Sequence, residues 1–257
     1  ITEKGIGNGI SLIIFIGIIS RLPKDLINTF NLVRIGELSI IKTLIFGVVF
    51  LVIIAFVVAL QEGERRIPVQ YAKRVVGRKM YGGQSTHIPV KVSMAGVMPV
   101  IFASSLLAFP QTIALFTKGA PSTWITKWLT PQGNIGIWIY SILNIALIMF
   151  FTYFYTAIQF NTVEYAKNLQ QNGGFIPGIR PGRPTSEHLN KVVTRITFVG
   201  GLALAVLASL PIILSKIFGM NVNFGGTSII IVVGVALETV KQIEAQMLMR
   251  HYKGFLN

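Results

Sequence analysis

Four long runs without a charged or histidine residue constrain this chain more than any other feature of its sequence. The runs cover residues 43–60, 92–117, 135–158 and 196–215. A helix needs about 20 apolar residues to cross the hydrocarbon core of a bilayer, and these runs approach or exceed that length. Only 12% of the 257 residues are charged, against about 25% in soluble domains. The sequence therefore predicts an all-α polytopic membrane protein.

Apolar segments near both ends of the chain complete a set of six predicted spans. The six cover about residues 5–22, 39–60, 92–117, 135–158, 196–217 and 225–246. The first is short and rich in glycine. The third contains Pro99, which a spanning helix tolerates when neighbouring groups satisfy the freed carbonyl. We therefore expect one membrane domain over residues 1–257.

The charged residues indicate which connections lie in the cytoplasm. Seven basic and two acidic residues fall within residues 61–91, and five basic and two acidic residues fall within 159–195. The connections 21–38 and 118–134 carry little net charge. Because cytoplasmic loops are enriched in lysine and arginine, we expect the two basic loops and the tail 247–257 to be cytoplasmic. We therefore interpret the net charge of +14 in the first place as a consequence of basic residues in cytoplasmic loops.

Both basic loops are longer than a connection between helices requires, which is usually 2–8 residues. We expect each to begin with an amphipathic helix, over residues 66–78 and 163–171. Residues 173–182 place four glycines and two prolines around Arg180, a composition that predicts a shaped loop tip presenting this arginine. Solvated charge is the ordinary interpretation of basic loops. Their length and shape favour a docking surface for an acidic protein or for the phosphates of RNA.

The spans carry no group that indicates catalysis or ion coupling. Ion-coupled transporters usually need ionisable residues at membrane depth, and a membrane-embedded enzyme needs a nucleophile with its base or paired acids. Both classes stay open as alternatives, because their sites could lie outside this sequence. With no cysteine and three scattered histidines, we expect no catalytic residue, metal site or cofactor. The mild polar residues of the spans are expected to form hydrogen bonds between helices: Ser104, Ser105, Gln111, Asn144 and Thr152.

Five stretches of the sequence carry a resemblance to a known family. They read ITEKGIGNGIS at residues 1–11, RRIPVQYAKRVVGR at 65–78, QSTHIPVKVSMAGVMPVIFASSLLAFP at 84–110, GGFIPGIRPG at 173–182 and GGTSIIIVV at 225–233. In these stretches the chain closely resembles the SecY family, the central subunits of the bacterial protein-conducting channel. The resemblance extends over almost the whole chain and is weakest at residues 118–134.

The resemblance implies a channel of ten spans in two pseudo-symmetric halves around an hourglass pore. This chain would supply spans five to ten, and we expect it to be part of a longer protein. The family's ring of pore residues would correspond to Ile10, Ile14, Ile101 and Ile231. The third span resembles the helix of the lateral gate, which opens sideways toward lipid.

The same resemblance implies docking residues and partners. Arg66, Arg78 and Lys79 lie in a loop that the family uses to bind the ribosome and the motor ATPase SecA. Arg180 and Tyr252 match positions linked to SecA function. The implied function is translocation of unfolded secretory proteins with their signal sequences, and insertion of apolar segments into membrane lipid, without enzymatic activity. SecE and SecG are the expected further subunits, and the bacterial plasma membrane is the expected location.

Overall fold

The structure is a computed structural model, and it describes residues 5, 8–36, 38–71, 74–76, 79–81, 85–116, 128–129, 136–218 and 226–253. Its helices are α1 (Gly9–Ile19), α2 (Leu22–Ile35), α3 (Ile40–Glu62), α4 (Met98–Phe116), α5 (Gly136–Gln159), α6 (Thr162–Gln171), α7 (Arg183–Phe218) and α8 (Gly226–Lys253). Its strands are β1 (Glu64–Tyr71), β2 (Arg74–Val76), β3 (Lys79–Tyr81), β4 (Ser85–Lys91) and β5 (Gly174–Phe175). Helices therefore dominate the described chain.

Within the described part of the chain, five helices are long and apolar enough to cross a membrane, and they correspond to the second to sixth predicted spans. They are α3, α4, α5, α7 and α8. The helix α4 begins at Met98, six residues after the predicted start of its span. Pro99 therefore lies in the first turn, where its missing N–H donor has no helical partner to lose. The helix α7 has 36 residues, about 54 Å at 1.5 Å per residue, so it extends well beyond the hydrocarbon core.

The first helix is shorter than the span predicted over residues 5–22. It covers 11 residues, about 16 Å, which is roughly half the thickness of the hydrocarbon core. Asn8 caps its start, since the side-chain oxygen accepts the backbone N–H of Ile10 at 3.1 Å. At its end Ser20 Oγ donates to the carbonyl oxygen of Gly17 at 3.0 Å. A sixth crossing therefore stays a prediction.

The apolar core of the bundle is organised around α8. This helix packs against α1, α3, α4 and α7, while α5 packs against both α4 and α7. The buried residues of this core are aliphatic: Ile53, Val57, Val97, Val100, Ala103, Ile148, Leu204, Ala205, Leu207, Ala208, Ile229, Ile230, Ile231 and Val235. Where α3 ends, Lys241 Nζ forms an ion pair with Glu62 Oε1 at 2.7 Å. The apolar contacts therefore hold four helices on one central helix, and α5 packs against two of these four.

Glycine allows two of the closest approaches in the bundle. A Cβ atom at Gly226 would overlap the carbonyl oxygen of Ala208, so the first turn of α8 lies directly on α7. A Cβ atom at Gly200 would overlap the carbonyl oxygen of Val92. Small residues serve this purpose widely in membrane helices, where close backbone contact replaces the hydrophobic drive between helices.

The first basic loop is a β-ribbon, and the helix predicted over residues 66–78 is wrong. The strands β1 and β4 pair in an antiparallel register that places Ile67 opposite Ile88. Along β1 the buried residues Ile67 and Val69 alternate with exposed ones. A period of two puts these side chains on one face of a strand, whereas a helix would place them on different sides. The short strands β2 and β3 form a second antiparallel pair.

The second basic loop packs onto this ribbon. The helix α6 confirms the helix predicted at residues 163–171, and its N-cap Asn161 accepts the backbone N–H groups of Val163 and Glu164. The strand β5 pairs with β1, giving the sheet order β4-β1-β5. A separate apolar core joins these pieces through Ile67, Val69, Val90, Leu169, Ile176, Leu189 and Val193. We call the described residues within 64–91 and 160–193 the loop unit.

Candidate functional site

Three of the four isoleucines predicted for the pore ring lie in the apolar core of the bundle or pack against it. Ile231 of α8 is 6% exposed and belongs to that core, while Ile14 of α1 and Ile101 of α4 are partly buried and pack against it. Their helices come together because α1 and α4 both pack on α8. Ile10, one turn before Ile14, is 70% exposed. The structure therefore gathers three of these residues into one cluster and leaves Ile10 outside it.

The chemistry of this cluster is that of an apolar seal. Branched aliphatic side chains exclude water and offer no hydrogen bond to a group that moves past them, and an apolar constriction can gate by losing its water. Next to Ile101, the hydroxyl groups are directed back into their own helix. Ser104 Oγ and Ser105 Oγ donate to the carbonyl oxygen of Ile101 at 2.9 Å and 2.8 Å. The surroundings of the cluster on α4 are therefore almost as apolar as the isoleucines themselves.

The interhelical hydrogen bonds predicted for the mild polar residues are wrong for three of them. Ser104 and Ser105 donate within α4, and Thr152 Oγ1 donates to the carbonyl oxygen of Ile148 within α5 at 2.7 Å. A short hydroxyl side chain on a helix reaches the carbonyl three or four residues earlier more easily than it reaches a neighbouring helix. Asn144 differs, because both of its side-chain polar atoms are buried without a partner among the described residues.

Arg180 lies on a loop tip whose backbone depends on glycine. Gly173, Gly178 and Gly182 have φ angles of 70°, 82° and 99°, in the left-handed region that other residues rarely adopt. The hydroxyl of Thr185 donates to the carbonyl oxygen of Arg180 at 2.8 Å, and Thr185 is buried in the first turn of α7. This bond fixes the tip to the helix, and the arginine itself is exposed. The predicted shaped tip is confirmed.

The other predicted docking residues lie along the ribbon and near the end of α8. Arg66 in β1 is exposed, and its Nε donates to Glu64 Oε1 at 2.8 Å. Lys79 begins β3 and Tyr252 lies in the last turn of α8; for both residues the structure describes the backbone alone. Arg78 lies outside the described residues. Among the five predicted docking residues, side-chain positions are therefore described for Arg66 and Arg180.

A sheet joins the two basic loops, and the sequence analysis missed it. Tyr71 of β1 pairs with Gly174 of β5. Gly174 is buried, and a Cβ atom there would lie 3.0 Å from Cε1 of Tyr71, so no larger side chain fits without displacing the tyrosine ring. Arg66 and Arg180 are therefore carried by one packed unit and not by two independent loops.

The described residues offer no place for a metal ion. No group of three or more His, Cys, Asp or Glu side chains that could hold one occurs among them. His87 lies in β4 opposite Pro68 and is exposed. The described arrangement combines an apolar cluster inside the bundle with a basic surface on the loop unit. It can exclude water at one place and attract anionic groups at the other.

The family model described as SecY matches residues 1–240 of this chain. The chain belongs to the SecY family. Relatives named protein translocase subunit SecY include that of Halalkalibacterium halodurans, 48% identical over 265 residues, and that of Streptomyces coelicolor, 50% identical over 263 residues. Both alignments cover 100% of this chain. It spans 61% and 59% of the length of these two SecY relatives.

Two solved structures share the fold of this SecY-family chain. The first, described in terms of the plug domain of the SecY protein and the closed state of its channel, has a TM-score of 0.65 at 19% identity. The second, described as a protein-conducting channel, has a TM-score of 0.62 at 21% identity. Each match covers 96% of this chain and 61% or 60% of the other. The predicted polytopic helical membrane fold is confirmed, but the chain is not all-α, because the first basic loop forms a β-ribbon.

Proposed function

We propose that this chain forms part of a channel that moves unfolded proteins across the bacterial plasma membrane. The observation that carries the proposal is the cluster of Ile14, Ile101 and Ile231, contributed by three helices of a SecY-family fold. The relatives are named protein translocase subunits, and one fold neighbour is described as a protein-conducting channel. The channel itself catalyses no reaction, and its energy comes from a partner.

In this proposal the isoleucine cluster is the seal of the pore. A translocating chain presents every kind of side chain, so the seal has to contact all of them without binding any of them tightly. Aliphatic side chains meet this requirement, because they form no hydrogen bond that must be broken before the next residue arrives. When the pore is empty the same side chains pack together and exclude water and ions. Ile10 continues this apolar lining along α1.

The helix α4 is the proposed moving element of the lateral gate. It packs against α5 and α8, and its hydroxyl groups Ser104 and Ser105 are already satisfied inside the helix. A shift of α4 against its neighbours therefore breaks no hydrogen bond of these two residues. Apolar segments of a substrate, including signal sequences, leave the pore at this helix and enter the membrane lipid.

The loop unit is the proposed docking surface on the cytoplasmic side. Its basic residues, Arg66 and Arg180 among those described, attract acidic surfaces and phosphate groups. SecA, which supplies energy by hydrolysing ATP, and the ribosome, which supplies it by synthesis, are the proposed partners, with Arg78, Lys79 and Tyr252 as further contacts. SecE and SecG are the proposed companion subunits within the membrane.

The seal is tested by placing a polar group in it. We expect Ile231→Asn, in the complete subunit with its companions, to raise the ion conductance of resting channels in planar bilayers, because an amide side chain holds water in the constriction. The same variant should export proteins with defective signal sequences more readily. Ile231→Val is the matched control, since it keeps the position aliphatic and should leave both quantities close to wild type.

The variant Ile14→Asn separates a pore defect from a folding defect. Ile231 is buried in the core, whereas Ile14 is only partly buried, so the second substitution disturbs packing less. Both asparagine variants should raise conductance if the residues face one pore. If correctly assembled channels of both variants show wild-type conductance and wild-type signal stringency, these isoleucines are packing residues and the pore assignment is incorrect.

A further inference from the structure

The helix α2 has a surface that the channel function does not use. It covers Leu22–Ile35 and contributes no buried residue among the described part of the chain. Four large apolar side chains are mostly exposed on it: three close together, Leu26 at 67%, Ile27 at 61% and Phe30 at 69%, and Ile35 at 73% at its C-terminal end. Exposure of three neighbouring apolar side chains on a 14-residue helix indicates that this face has an apolar partner.

Three of the exposed apolar residues of α2, Leu26, Ile27 and Phe30, lie within about 100° of one another around the helix. At 100° per residue, Leu26 and Phe30 are one turn apart on the same face. Asn28 is rotated about 160° from Phe30, and it is exposed together with Lys24 and Asn31. Arg34 lies between Phe30 and Ile27 on the apolar side, and the exposed Ile35 lies about 20° from Asn28 on the polar side. The helix is therefore partly amphipathic, with most of its exposed apolar surface on the side of Leu26 and Phe30.

The position of α2 in the chain places it beside the bilayer. Gly36 ends the helix in the left-handed conformation with φ of 84°, and the spanning helix α3 begins at Ile40. The four residues between them reach at most about 14 Å. Ile40 and Ile41, in the first turn of α3, are themselves about 70% exposed. The apolar face of α2 is therefore held close to a continuous apolar surface on α3.

The charges on α2 fit the same surroundings. Residues 21–35 contain the three cations Arg21, Lys24 and Arg34 against the single anion Asp25. Basic residues beside an apolar face are typical of helices that lie in the plane of a membrane interface, where cations meet lipid phosphates and apolar side chains enter the acyl boundary. Arg34 is exposed in the last turn, next to the start of α3.

We infer that α2 is an interfacial helix that lies on the bilayer surface at the end of the bundle where α3 begins. Leu26, Ile27 and Phe30 enter the boundary between head groups and acyl chains, and Lys24 and Arg34 lie at the level of the phosphates. The partner is the lipid surface itself. The inference rests on the membrane fold of the chain and not on the proposed translocation activity.

Spin labels on two faces of α2 test this inference. This chain contains no cysteine, so single cysteines replacing Phe30 and Asn28 can carry a nitroxide in the complete subunit with its companions, once any cysteine elsewhere in the complex is replaced by serine. The complex is reconstituted in vesicles of phosphatidylethanolamine and phosphatidylglycerol. We expect the label at position 30 to be reached by oxygen, which concentrates in lipid, and protected from a water-soluble nickel chelate. The label at position 28 should show the opposite preference.

Two other results would overturn the inference. If the label at position 30 is protected from both reagents, another protein segment covers the apolar face. If it is reached by the nickel chelate as readily as the label at position 28, water covers the face. A second variant set, Leu26→Ser with Phe30→Ser and the label at position 27, should lose the oxygen preference, because the helix then lacks the apolar side chains that hold it in the interface.

Discussion

Arg180 has an exposed charged side chain on a backbone position that is fixed by a hydrogen bond. Its carbonyl oxygen is bound by the buried hydroxyl of Thr185, so the side chain is presented from a fixed point. We predict that Arg180→Glu lowers SecA-driven export into vesicles at least about tenfold while leaving assembly of the complex intact. A hydrogen bond to a charged group is worth about 1.5–3 kcal/mol, and 1.4 kcal/mol corresponds to a factor of ten.

Arg183 provides the control for this prediction. It lies three residues further along, its side chain is 91% exposed, and its Nε donates to Glu187 Oε1 at 3.0 Å. Arg183→Glu makes the same change of charge on the same surface, and we expect a much smaller loss of export. Equal losses in the two variants would mean that the net charge of the loop matters and the placement of Arg180 does not.

The residues of the candidate site differ in how far the sequence determines them. The tip around Arg180 follows from glycine and proline, whose effects are local, and the structure confirms it. The hydroxyls of Ser104, Ser105 and Thr152 differ from prediction, because the sequence shows that a side chain is polar but not which acceptor it contacts. The cluster of Ile14, Ile101 and Ile231 rested on the family resemblance alone, since isoleucines in apolar runs carry no local signal for a pore.

At the scale of elements, the contact between β1 and β5 couples the two basic loops. A Cβ atom at Gly174 would lie 3.0 Å from Tyr71 Cε1 and 3.3 Å from Leu169 Cδ2. We predict that Gly174→Val destabilises the loop unit by about 1–3 kcal/mol, the usual cost of overpacking. Hydrogen exchange of the amides in β1 and β5 should become faster. Exchange unchanged from wild type would show that the tip and the ribbon are independent.

The contact between α7 and α8 makes a second prediction about elements. Gly226→Ala places a methyl group against the carbonyl oxygen of Ala208, so we expect a destabilisation of about 1–3 kcal/mol, measured as a lower Tm of the purified complex in detergent. Gly47→Ala in α3 is the matched control, because no heavy atom lies within 4 Å of a Cβ there. Melting of both alanine variants at the wild-type temperature would show that α7 and α8 do not approach this closely at Gly226.

The type of element was predictable where a long segment is continuously apolar. The spans α3, α5, α7 and α8 are apolar over many turns, and no other structure satisfies their backbone in lipid. The ribbon differs from the amphipathic helix predicted over residues 66–78, because a short apolar pattern does not clearly separate a helix from a strand. The alternation of Ile67, Val69 and Tyr71 was a usable signal for a strand. A period of two that is seen at only three positions is, however, weak evidence against a helix.

At the scale of the whole molecule, the described chain has two cores with different roles. One holds the helices of the bundle around α8, and the other joins the ribbon, α6 and the start of α7 into the loop unit. The long helix α7 belongs to both, since Leu189 and Val193 lie in the second core and Leu204 and Ala208 in the first. One continuous helix therefore connects the loop unit with the bundle.

The sequence predicts which loops lie on the same side of the membrane, but it does not fully determine the number of crossings. Charge asymmetry between the connections indicates which loops share a side, but it counts crossings only where each span is long enough. With 11 helical residues, α1 does not reach that length, so the sixth crossing depends on the backbone on either side of it. Which helices surround α8 could not be read from the sequence, because every apolar run can pack against every other.

Crosslinking of a passing substrate tests the central claim most directly. A cysteine replacing Ile101 in the complete subunit is compared with one replacing Leu51, which is 66% exposed on α3, while a secretory protein is arrested halfway through export. The proposed pore predicts a substrate-dependent crosslink at position 101 and none at position 51. With arrest confirmed, the absence of a crosslink at position 101, and likewise at positions 14 and 231, would contradict the assignment of these isoleucines to a protein-conducting pore.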